Sequence, residues 1–302
     1  MSMQNWLNKH TASLQGKRVA ITGSTGGLGQ ALCRHLAALG AELILLDRNA
    51  TRSAAWGETL RAEYGVQVTC IPLDLENMAQ VLEVADRLAD TPPAILIHNA
   101  GAYAIPRHLC DSGYDNVFQI NFLAPYVLTR RLLPAMNAIG GRVVAVGSIA
   151  HTYTTINPAD TDFRTHGKAS HAYGHAKRRL MFSLYPLFEG QTATLSVTHP
   201  GISFTGITNH YPKVIFALIK HPMKVLFMRP KKASLSVLKG VFSPCDGGEW
   251  WGPRLFDVWG LPRKRRLSTV PAAEQAIIAA DADSVYEDIL EKYSKKEQAP
   301  TP

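Results

Sequence analysis

The chain has 302 residues, of which 46% are hydrophobic and 19% are charged. This length and this hydrophobic fraction are sufficient for one large domain with a substantial core, and they exclude an intrinsically disordered protein. The formal net charge is +8 at pH 7, so the surface is basic overall and suits anionic partners or substrates.

Short apolar segments alternate with segments of helical periodicity along the chain. Strands are predicted near residues 17–22, 41–46, 66–71, 94–98, 142–147 and 193–198. This alternation predicts parallel βαβ units and a doubly wound, three-layer α/β/α sheet of Rossmann type. We expect a single domain over residues 1–302, in which residues 270–302 form a surface helix and a polar tail.

A glycine-rich turn follows the first predicted strand, and helical spacing begins directly after the turn. Glycines at 23, 27 and 29 remove the β-carbons that would keep a pyrophosphate away from backbone N–H groups and from the positive end of the helix. The sequence therefore predicts a dinucleotide site here. Its predicted residues are Thr22, Gly23, Ser24, Thr25, Gly27, Leu28 and Gly29.

The second predicted strand ends in Asp47, about twenty residues past the glycines, where an adenosine ribose offers its 2′-hydroxyl. A carboxylate at this position accepts hydrogen bonds from a ribose diol and repels a 2′-phosphate, which favours NAD(H). The adjacent Arg48 could pair with such a phosphate, which favours NADP(H). We expect NAD(H), with NADP(H) as the alternative, because a carboxylate facing a phosphate costs more than one flexible cation returns.

Tyr173 and Lys177 lie four residues apart in a predicted helix, so their side chains share one face. Ionising a free phenol, whose pKa is about 10, near neutral pH requires about 4 kcal/mol of differential stabilisation. An adjacent ammonium can supply part of it. Tyr–Lys pairs at this spacing are also common on solvated helix faces, and the dinucleotide turn is what makes this pair a catalytic candidate.

Together these motifs resemble the short-chain dehydrogenase/reductase family over roughly residues 15–260. The resemblance implies a dinucleotide-binding and catalytic core in residues 15–201 and a set of further site residues. These are Asp74 and Leu75 beside the adenine, Asn99, Ala100 and Gly101 after the fourth strand, the catalytic tetrad Asn121, Ser148, Tyr173 and Lys177, and Pro200, Gly201 and Thr205 at the nicotinamide. Most of these positions follow a predicted strand, where cofactors bind such sheets.

The resemblance also implies reversible hydride transfer between nicotinamide and an alcohol or carbonyl carbon. Tyr173 would act as acid and base, and Ser148 would hold the substrate oxygen. Lys177 would lower the pKa of Tyr173, and the Asn121 region would hold a water molecule. Two alternatives stay open: a C=C reductase resembling protochlorophyllide reductase, and a non-catalytic nucleotide-binding regulator on the same fold.

Softer features indicate a branch and a class of substrate. Ala150-His151 after the serine, and the stretch at 247–253, resemble the retinol dehydrogenase and WW-domain oxidoreductase branch. Residues 202–245 resemble a substrate lid, and their many apolar residues favour a lipophilic alcohol or carbonyl.

The lid segment is also basic, since no acidic residue occurs from Gln191 through Cys245. It could contact an anionic membrane surface or steer an anionic substrate, and a plain solvated basic face explains the charge equally well. Residues 263–266 extend this basic surface. Nucleic-acid binding is not expected, because no recognition motif accompanies the charge.

Location and assembly are predicted from simpler features. No apolar run reaches the ~20 residues that span a bilayer, and no signal core is evident. The four cysteines are scattered without metal-ligand spacing, so no metal site is predicted and a reducing compartment is expected. We therefore expect a cytoplasmic protein, peripherally membrane-associated if the lid binds lipid. The resemblance implies a homodimer through the helices that carry Asn121 and Tyr173.

Overall fold

The computed structural model describes residues 1–201, 228–267 and 270–298, and within these ranges the strands form one eight-stranded sheet. The strands are β1 (Arg18–Thr22), β2 (Glu42–Asp47), β3 (Val68–Pro72), β4 (Ile95–His98), β5 (Arg142–Val146), β6 (Thr194–Thr198), β7 (Glu249–Leu255) and β8 (Trp259–Arg266). The helices are α1 (Met3–His10), α2 (Gly27–Ala38), α3 (Ala50–Tyr64), α4 (Met78–Asp90), α5 (Asn116–Phe118), α6 (Ala124–Ala138), α7 (Ala169–Leu187), α8 (Pro230–Phe242) and α9 (Ala272–Gln298).

The sheet has the strand order β3-β2-β1-β4-β5-β6-β7-β8. Strands β1 to β7 pair in parallel, and β8 pairs antiparallel with β7. The predicted Rossmann-type fold is confirmed, and the six predicted strands all occur. The strand order reverses between β1 and β4, and ligands of such sheets bind at this switch point, beyond the carboxyl ends of the strands.

Each face of the sheet carries its own layer of buried apolar side chains, because successive strand residues point to opposite faces. Ala20 of β1 belongs to the layer formed with α4, α6, α7 and α9. Its neighbours Val19 and Ile21 belong to the layer formed with α1, α2, α3 and α8. The sheet is thus covered on both sides, as near-continuous apolar strands require.

Strands β7 and β8 were not predicted from the sequence. Gly252 and Pro253 interrupt β7, and residues 263–266 give β8 an unbroken run of positive charge. Neither segment alternates polar and apolar residues, which is the pattern that reveals a half-buried strand. β8 ends the described sheet, and an edge strand tolerates both charge and proline.

The predicted lid, residues 202–245, lies only partly within the described residues. Residues 230–242 fall inside the predicted lid, yet they form α8, whose Leu235, Val237 and Leu238 are fully buried against the sheet. The rest of the predicted lid up to residue 227, including Thr205, lies outside the described residues. Within the part of the chain that is described, no helix has the length and apolar composition needed to cross a bilayer.

The C-terminal segment forms a helix where the sequence predicts one, and one face of this helix is buried. α9 extends to Gln298 and buries one face, which includes Ile278, Ala282 and Ile289. Its polar side chains pair with basic residues of α7 and α6, so charge as well as apolar area attaches it to the core.

Candidate active site

The glycine turn joins β1 to α2 at the carboxyl edge of the sheet. Gly23 has φ +68°, and a β-carbon there would lie 2.9 Å from Ala100 Cα. A β-carbon on Gly29 would lie 2.2 Å from the Gly23 carbonyl oxygen, so only glycine fits. α2 begins at Gly27 and its first backbone N–H groups face this cradle, which suits a bound pyrophosphate.

Asp47 ends β2 as predicted, but its carboxylate is used inside the protein. It is 4% exposed and accepts hydrogen bonds from Ser24 Oγ at 2.5 Å, Ser53 Oγ at 2.9 Å and Thr25 N at 3.2 Å. The carboxylate therefore fixes the glycine turn against α3. Arg48, by contrast, points outward with its side chain 71% exposed, 3.6 Å from Glu76.

The ends of β1 and β4 are tied together by Thr22 and Asn99. Asn99 Nδ2 donates to the carbonyl oxygens of Thr22 and Gly23 at 3.0 and 2.9 Å, and Ala100 N donates to Thr22 Oγ1 at 3.0 Å. Asn99 Oδ1 is buried without a hydrogen-bond partner among the described residues. An orphaned acceptor beside the glycine cradle fits a hydroxyl-bearing ligand such as a ribose.

Asp74 and Leu75 follow β3 on the same edge. Asp74 is half-buried, and its Oδ1 accepts a hydrogen bond from Glu76 N at 3.0 Å. The Leu75 carbonyl accepts from Gln119 Nε2 at 2.9 Å, which links this loop to the turn that precedes α6. Both residues thus lie at the carboxyl edge of the sheet, after the strand next to β2, where the resemblance predicts the adenine.

Ser148, Tyr173 and Lys177 converge as predicted. Ser148 follows β5, and its hydroxyl accepts a hydrogen bond from Ala150 N at 3.2 Å. The same hydroxyl is close enough to the Tyr173 phenol to act against the rise of the Tyr173 pKa. Tyr173 is half-buried, whereas Lys177 is 3% exposed and its Nζ donates to the Val146 carbonyl at 3.0 Å. Lys177 Nζ lies 5.8 Å from the centroid of the Tyr173 ring. A partly exposed phenol, a serine hydroxyl and a buried amine thus lie together at this edge of the sheet.

Burial shifts the pKa values of the two titratable groups of this trio in opposite directions. Burial raises the pKa of Tyr173 to about 12, although the nearby Ser148 hydroxyl acts in the opposite direction. Burial lowers the pKa of Lys177 to about 8. Desolvation of the phenol thus opposes the lowering of the Tyr173 pKa by Lys177 that the resemblance implies, and that lowering stays a prediction.

Asn121 lies in a π-helical turn, Gln119–Leu123, between α5 and α6. Its Nδ2 donates to the carbonyls of Ala102 and Val117, both at 2.8 Å, and its Oδ1 accepts from Ala102 N at 3.2 Å. A β-carbon on Gly101 would lie 2.9 Å from Asn121 Oδ1 and 3.6 Å from Lys177 Nζ. Single π-turns of this kind often mark functional sites.

Pro200 and Gly201 follow β6, as the resemblance predicted. Gly201 has φ +78°, and a β-carbon there would lie 2.6 Å from the Val258 carbonyl oxygen. This segment therefore packs directly on the connection between β7 and β8.

Sequence reasoning missed several aromatic and histidine neighbours of the site. The Tyr103 ring meets the Tyr173 ring edge-on, with centroids 5.4 Å apart. His151 Nδ1 lies 2.6 Å from the Ser148 carbonyl oxygen, and Trp250 packs between His151 and His199. In the sequence, His151 and Trp250 indicate only a resemblance to one branch of the family. Their position beneath Ser148 depends on β7, a strand that the sequence did not reveal.

A Rossmann-type sheet, a glycine cradle at its switch point and a serine–tyrosine–lysine trio on the same edge define a nucleotide-dependent oxidoreductase scaffold. The family model described as short chain dehydrogenase matches residues 17–159. The chain belongs to this short-chain dehydrogenase family and is an NAD(P)-binding oxidoreductase of CH–OH and C=O groups.

Relatives and solved structures agree with that assignment. The chain is 29% identical to a polyprenol dehydrogenase from Mus musculus over 76% of this chain and 72% of that protein. It is 30% identical to human retinol dehydrogenase 14 over 65% of both chains, and 30% identical to the chloroplastic short-chain dehydrogenase TIC 32 A of Brassica napus over 66% of this chain and 68% of that protein.

Among solved structures, an uncharacterised protein from Mycobacterium paratuberculosis superposes with a TM-score of 0.71 at 25% identity, covering 91% of this chain and 95% of that one. The Pseudomonas aeruginosa RhlG/NADP complex superposes with a TM-score of 0.59 at 25% identity, covering 78% of this chain and 97% of that one.

Proposed function

We propose that the protein catalyses reversible hydride transfer between a nicotinamide dinucleotide and a lipophilic alcohol or carbonyl compound, with Tyr173 as acid and base. The observation that carries this proposal is the convergence of Ser148, Tyr173 and the buried Lys177, whose Nζ lies 5.8 Å from the centroid of the Tyr173 ring and donates to the Val146 carbonyl at the end of β5. All three side chains lie at the carboxyl edge of the sheet that holds the glycine cradle.

The residues of the chain divide the work of proton transfer. In the reduction direction, the Tyr173 phenol donates its proton to the substrate oxygen, which Ser148 holds in line by a hydrogen bond. The Lys177 ammonium stabilises the phenolate that remains. In the oxidation direction the same phenolate accepts the alcohol proton. A bound nicotinamide ring would supply or accept the hydride.

Positioning comes from residues that do not exchange protons. Asn121 ties the loop after β4 to the π-helical turn, and the Val146 carbonyl fixes the Lys177 ammonium. The glycine cradle, Asn99 and the segment Pro200-Gly201 are the groups that would hold the dinucleotide. These contacts fix the reacting groups before substrate arrives, which lowers the entropy cost of the reaction.

For the cofactor we infer NADP(H), the alternative left open by the sequence. The preference for NAD(H) depended on a free Asp47 carboxylate, and that carboxylate is buried and accepts hydrogen bonds from Ser24, Thr25 and Ser53. The exposed Arg48 guanidinium is available to a 2′-phosphate. The NADP complex of the Pseudomonas aeruginosa relative supports the same choice.

The lipophilic substrate class has two supports. The relatives named above include a polyprenol dehydrogenase and a retinol dehydrogenase. The segment after Gly201 is rich in apolar residues in the sequence, which suits a long hydrocarbon substrate.

The proposal is tested by incubating the purified protein with NADPH or NADH and a panel of retinoid, isoprenoid and long-chain aldehydes. We expect NADPH oxidation with stoichiometric formation of the alcohol. A product reduced at C=C would instead support the protochlorophyllide-reductase type of reaction. Tight dinucleotide binding without turnover of any carbonyl compound would support a non-catalytic regulator.

A further inference from the structure

The hairpin between β7 and β8 ends in an unusual turn. Val258 N donates to the Leu255 carbonyl at 3.0 Å, which leaves Phe256 and Asp257 as the two central residues. Both are left-handed, with φ of 51° and 56°. Such turns prefer asparagine and glycine, and a bulky aromatic residue is strained there. Phe256 therefore costs the fold stability and does not contribute core packing in return.

The turn also concentrates exposed apolar area. Phe256 is 88% exposed, Leu255 is 54% exposed and Trp259 is 36% exposed. Contiguous exposed apolar side chains of this size mark interaction surfaces more often than scattered single ones do. We call these three residues the hairpin tip.

Positive charge begins beside the hairpin tip at Arg254 and continues along β8, where Arg263 lies opposite Gly252 and Arg266 lies opposite Glu249. Arg254, Arg263 and Arg266 are exposed and make no ion pair with a carboxylate among the described residues. The hairpin's own carboxylates are already used, since Asp257 pairs with Arg265 at 2.8 Å and Glu249 pairs with Lys264 at 2.9 Å. The charge left over is positive, which complements an anionic surface.

The hairpin lies against the active site. Gly201, the second residue of the predicted nicotinamide segment, faces the Val258 carbonyl and Pro253 so closely that a β-carbon would lie 2.6 and 2.9 Å from them. His199 N donates to the Trp251 carbonyl at 2.8 Å. A partner bound at the hairpin tip would thus lie next to Gly201, at the carboxyl edge of the sheet that carries the candidate active site.

We propose that the hairpin tip is an interfacial anchor that docks the protein on an anionic phospholipid membrane. Phe256, Leu255 and Trp259 enter the boundary between headgroups and acyl chains, and Arg254 beside them contacts lipid phosphates. Arg263 and Arg266, farther along β8, add attraction to the anionic surface. Apolar side chains combined with basic residues are the usual signature of such peripheral binding. Docking would present the active-site edge to substrates dissolved in the membrane.

The test is sedimentation of the full chain with phosphatidylcholine vesicles and with vesicles that also contain phosphatidylserine, at several salt concentrations. Wild-type protein should bind the anionic vesicles and release as salt rises. Phe256→Asn should bind about tenfold more weakly, the loss expected for one buried aromatic side chain. The same variant should melt at an equal or higher temperature, because asparagine suits the left-handed turn.

Charge and position are tested by two further variants. The double variant Arg263→Gln/Arg266→Gln should weaken binding about fivefold per removed charge, and only on anionic vesicles. Ile139→Asn is the matched control. Ile139 is 50% exposed, but it precedes β5 and so lies near the amino-terminal ends of the parallel strands, away from the hairpin tip. It should bind vesicles like the wild type.

The proposal is overturned if the wild-type protein does not bind anionic vesicles. It is also overturned if Phe256→Asn binds them as strongly as the wild type does. A third result would also overturn it: the wild type self-associates but does not bind vesicles, and Phe256→Asn abolishes the self-association. That result would mean that the hairpin tip binds a second copy of the chain. Turnover of the retinoid, isoprenoid and long-chain aldehydes named above is measured alongside, with the aldehydes dissolved in detergent and no vesicles present. Turnover without vesicle binding refutes the anchor alone, and vesicle binding without turnover supports the anchor while refuting the proposed reaction.

Discussion

At the scale of single residues, the proposed roles of Tyr173 and Lys177 depend on their protonation states. Burial raises the pKa of Tyr173 to about 12 and lowers that of Lys177 to about 8. At neutral pH the phenol therefore keeps its proton and the amine remains charged. These are the protonation states that the proposed reduction of a carbonyl requires.

The reduction rate should fall as pH rises through about 8, because Lys177 loses its charge there while Tyr173 keeps its proton. Lys177→Arg keeps a cation at all accessible pH values, so its fall should move to higher pH. Lys177→Met should lose roughly a hundredfold or more in kcat. The measurement is kcat/KM from neutral to alkaline pH, and identical profiles for the wild type and Lys177→Arg would contradict this role.

Substitution of Asp47 should mainly change the stability of the protein, and substitution of Arg48 should mainly change its affinity for the cofactor. Asp47→Ala removes a buried acceptor of several hydrogen bonds and should lower the free energy of unfolding by about 2–3 kcal/mol. Arg48→Ala should leave stability unchanged and raise the KM for NADP(H) about tenfold, with little effect on NAD(H). Denaturant unfolding and initial rates with both cofactors measure these effects. Unchanged stability in Asp47→Ala would show that the carboxylate is free for the cofactor.

At the scale of elements, α9 is attached to α7 beside the catalytic residues. The Arg178 guanidinium is nearly buried and donates to both carboxylate oxygens of Glu274, at 2.7 and 2.6 Å. It also donates to the His151 carbonyl at 2.9 Å, close to Ser148. The C-terminal helix therefore supports the loop that carries the serine.

Glu274→Ala should destabilise the protein by about 3–5 kcal/mol, because it leaves the buried Arg178 charge without a partner. Glu291→Ala on the same helix is the control: its pair with Lys295 is exposed, and its loss should leave the melting temperature unchanged. Thermal unfolding monitored by circular dichroism distinguishes the two. Equal melting temperatures for the two variants would mean that α9 contributes little through this pair.

At the scale of the whole molecule, α9 covers the helices through which the family resemblance implied a homodimer. Tyr126 of α6 donates to Asp283 at 2.8 Å, and Arg179 of α7 pairs with Asp281 at 3.0 Å. A partner subunit would have to displace these contacts. We therefore expect the full chain to be a monomer in size-exclusion chromatography with light scattering, and a stable dimer at low concentration would contradict this.

The sequence predicted the parts of the molecule that depend on local pattern. Six buried strands, the glycine turn and the Tyr173–Lys177 spacing are local, and family resemblance added Asn121 and Ser148. What it could not predict depends on tertiary burial. Burial of the Tyr173 phenol opposes the pKa shift expected from Lys177. Ser53, six residues beyond Asp47, donates to the carboxylate on which the predicted cofactor preference depends.

The edge hairpin escaped prediction for a related reason. Its strands carry charge and proline where a core strand carries alternating apolar residues, so its pattern is visible only once β6 provides a partner for β7. Phe256 is also uninformative in the sequence alone, because only the structure shows that it is exposed in a left-handed turn.

The most direct test of the proposed reaction is single-turnover hydride transfer by Tyr173→Phe with bound NADPH and a saturating lipophilic aldehyde. Phenylalanine keeps the ring and its contact with Tyr103 but has no proton to donate. We predict that cofactor affinity stays at the wild-type level while the hydride-transfer rate falls at least about a hundredfold. A variant that binds NADPH normally and transfers hydride at the wild-type rate would contradict the assignment of Tyr173 as the acid and base.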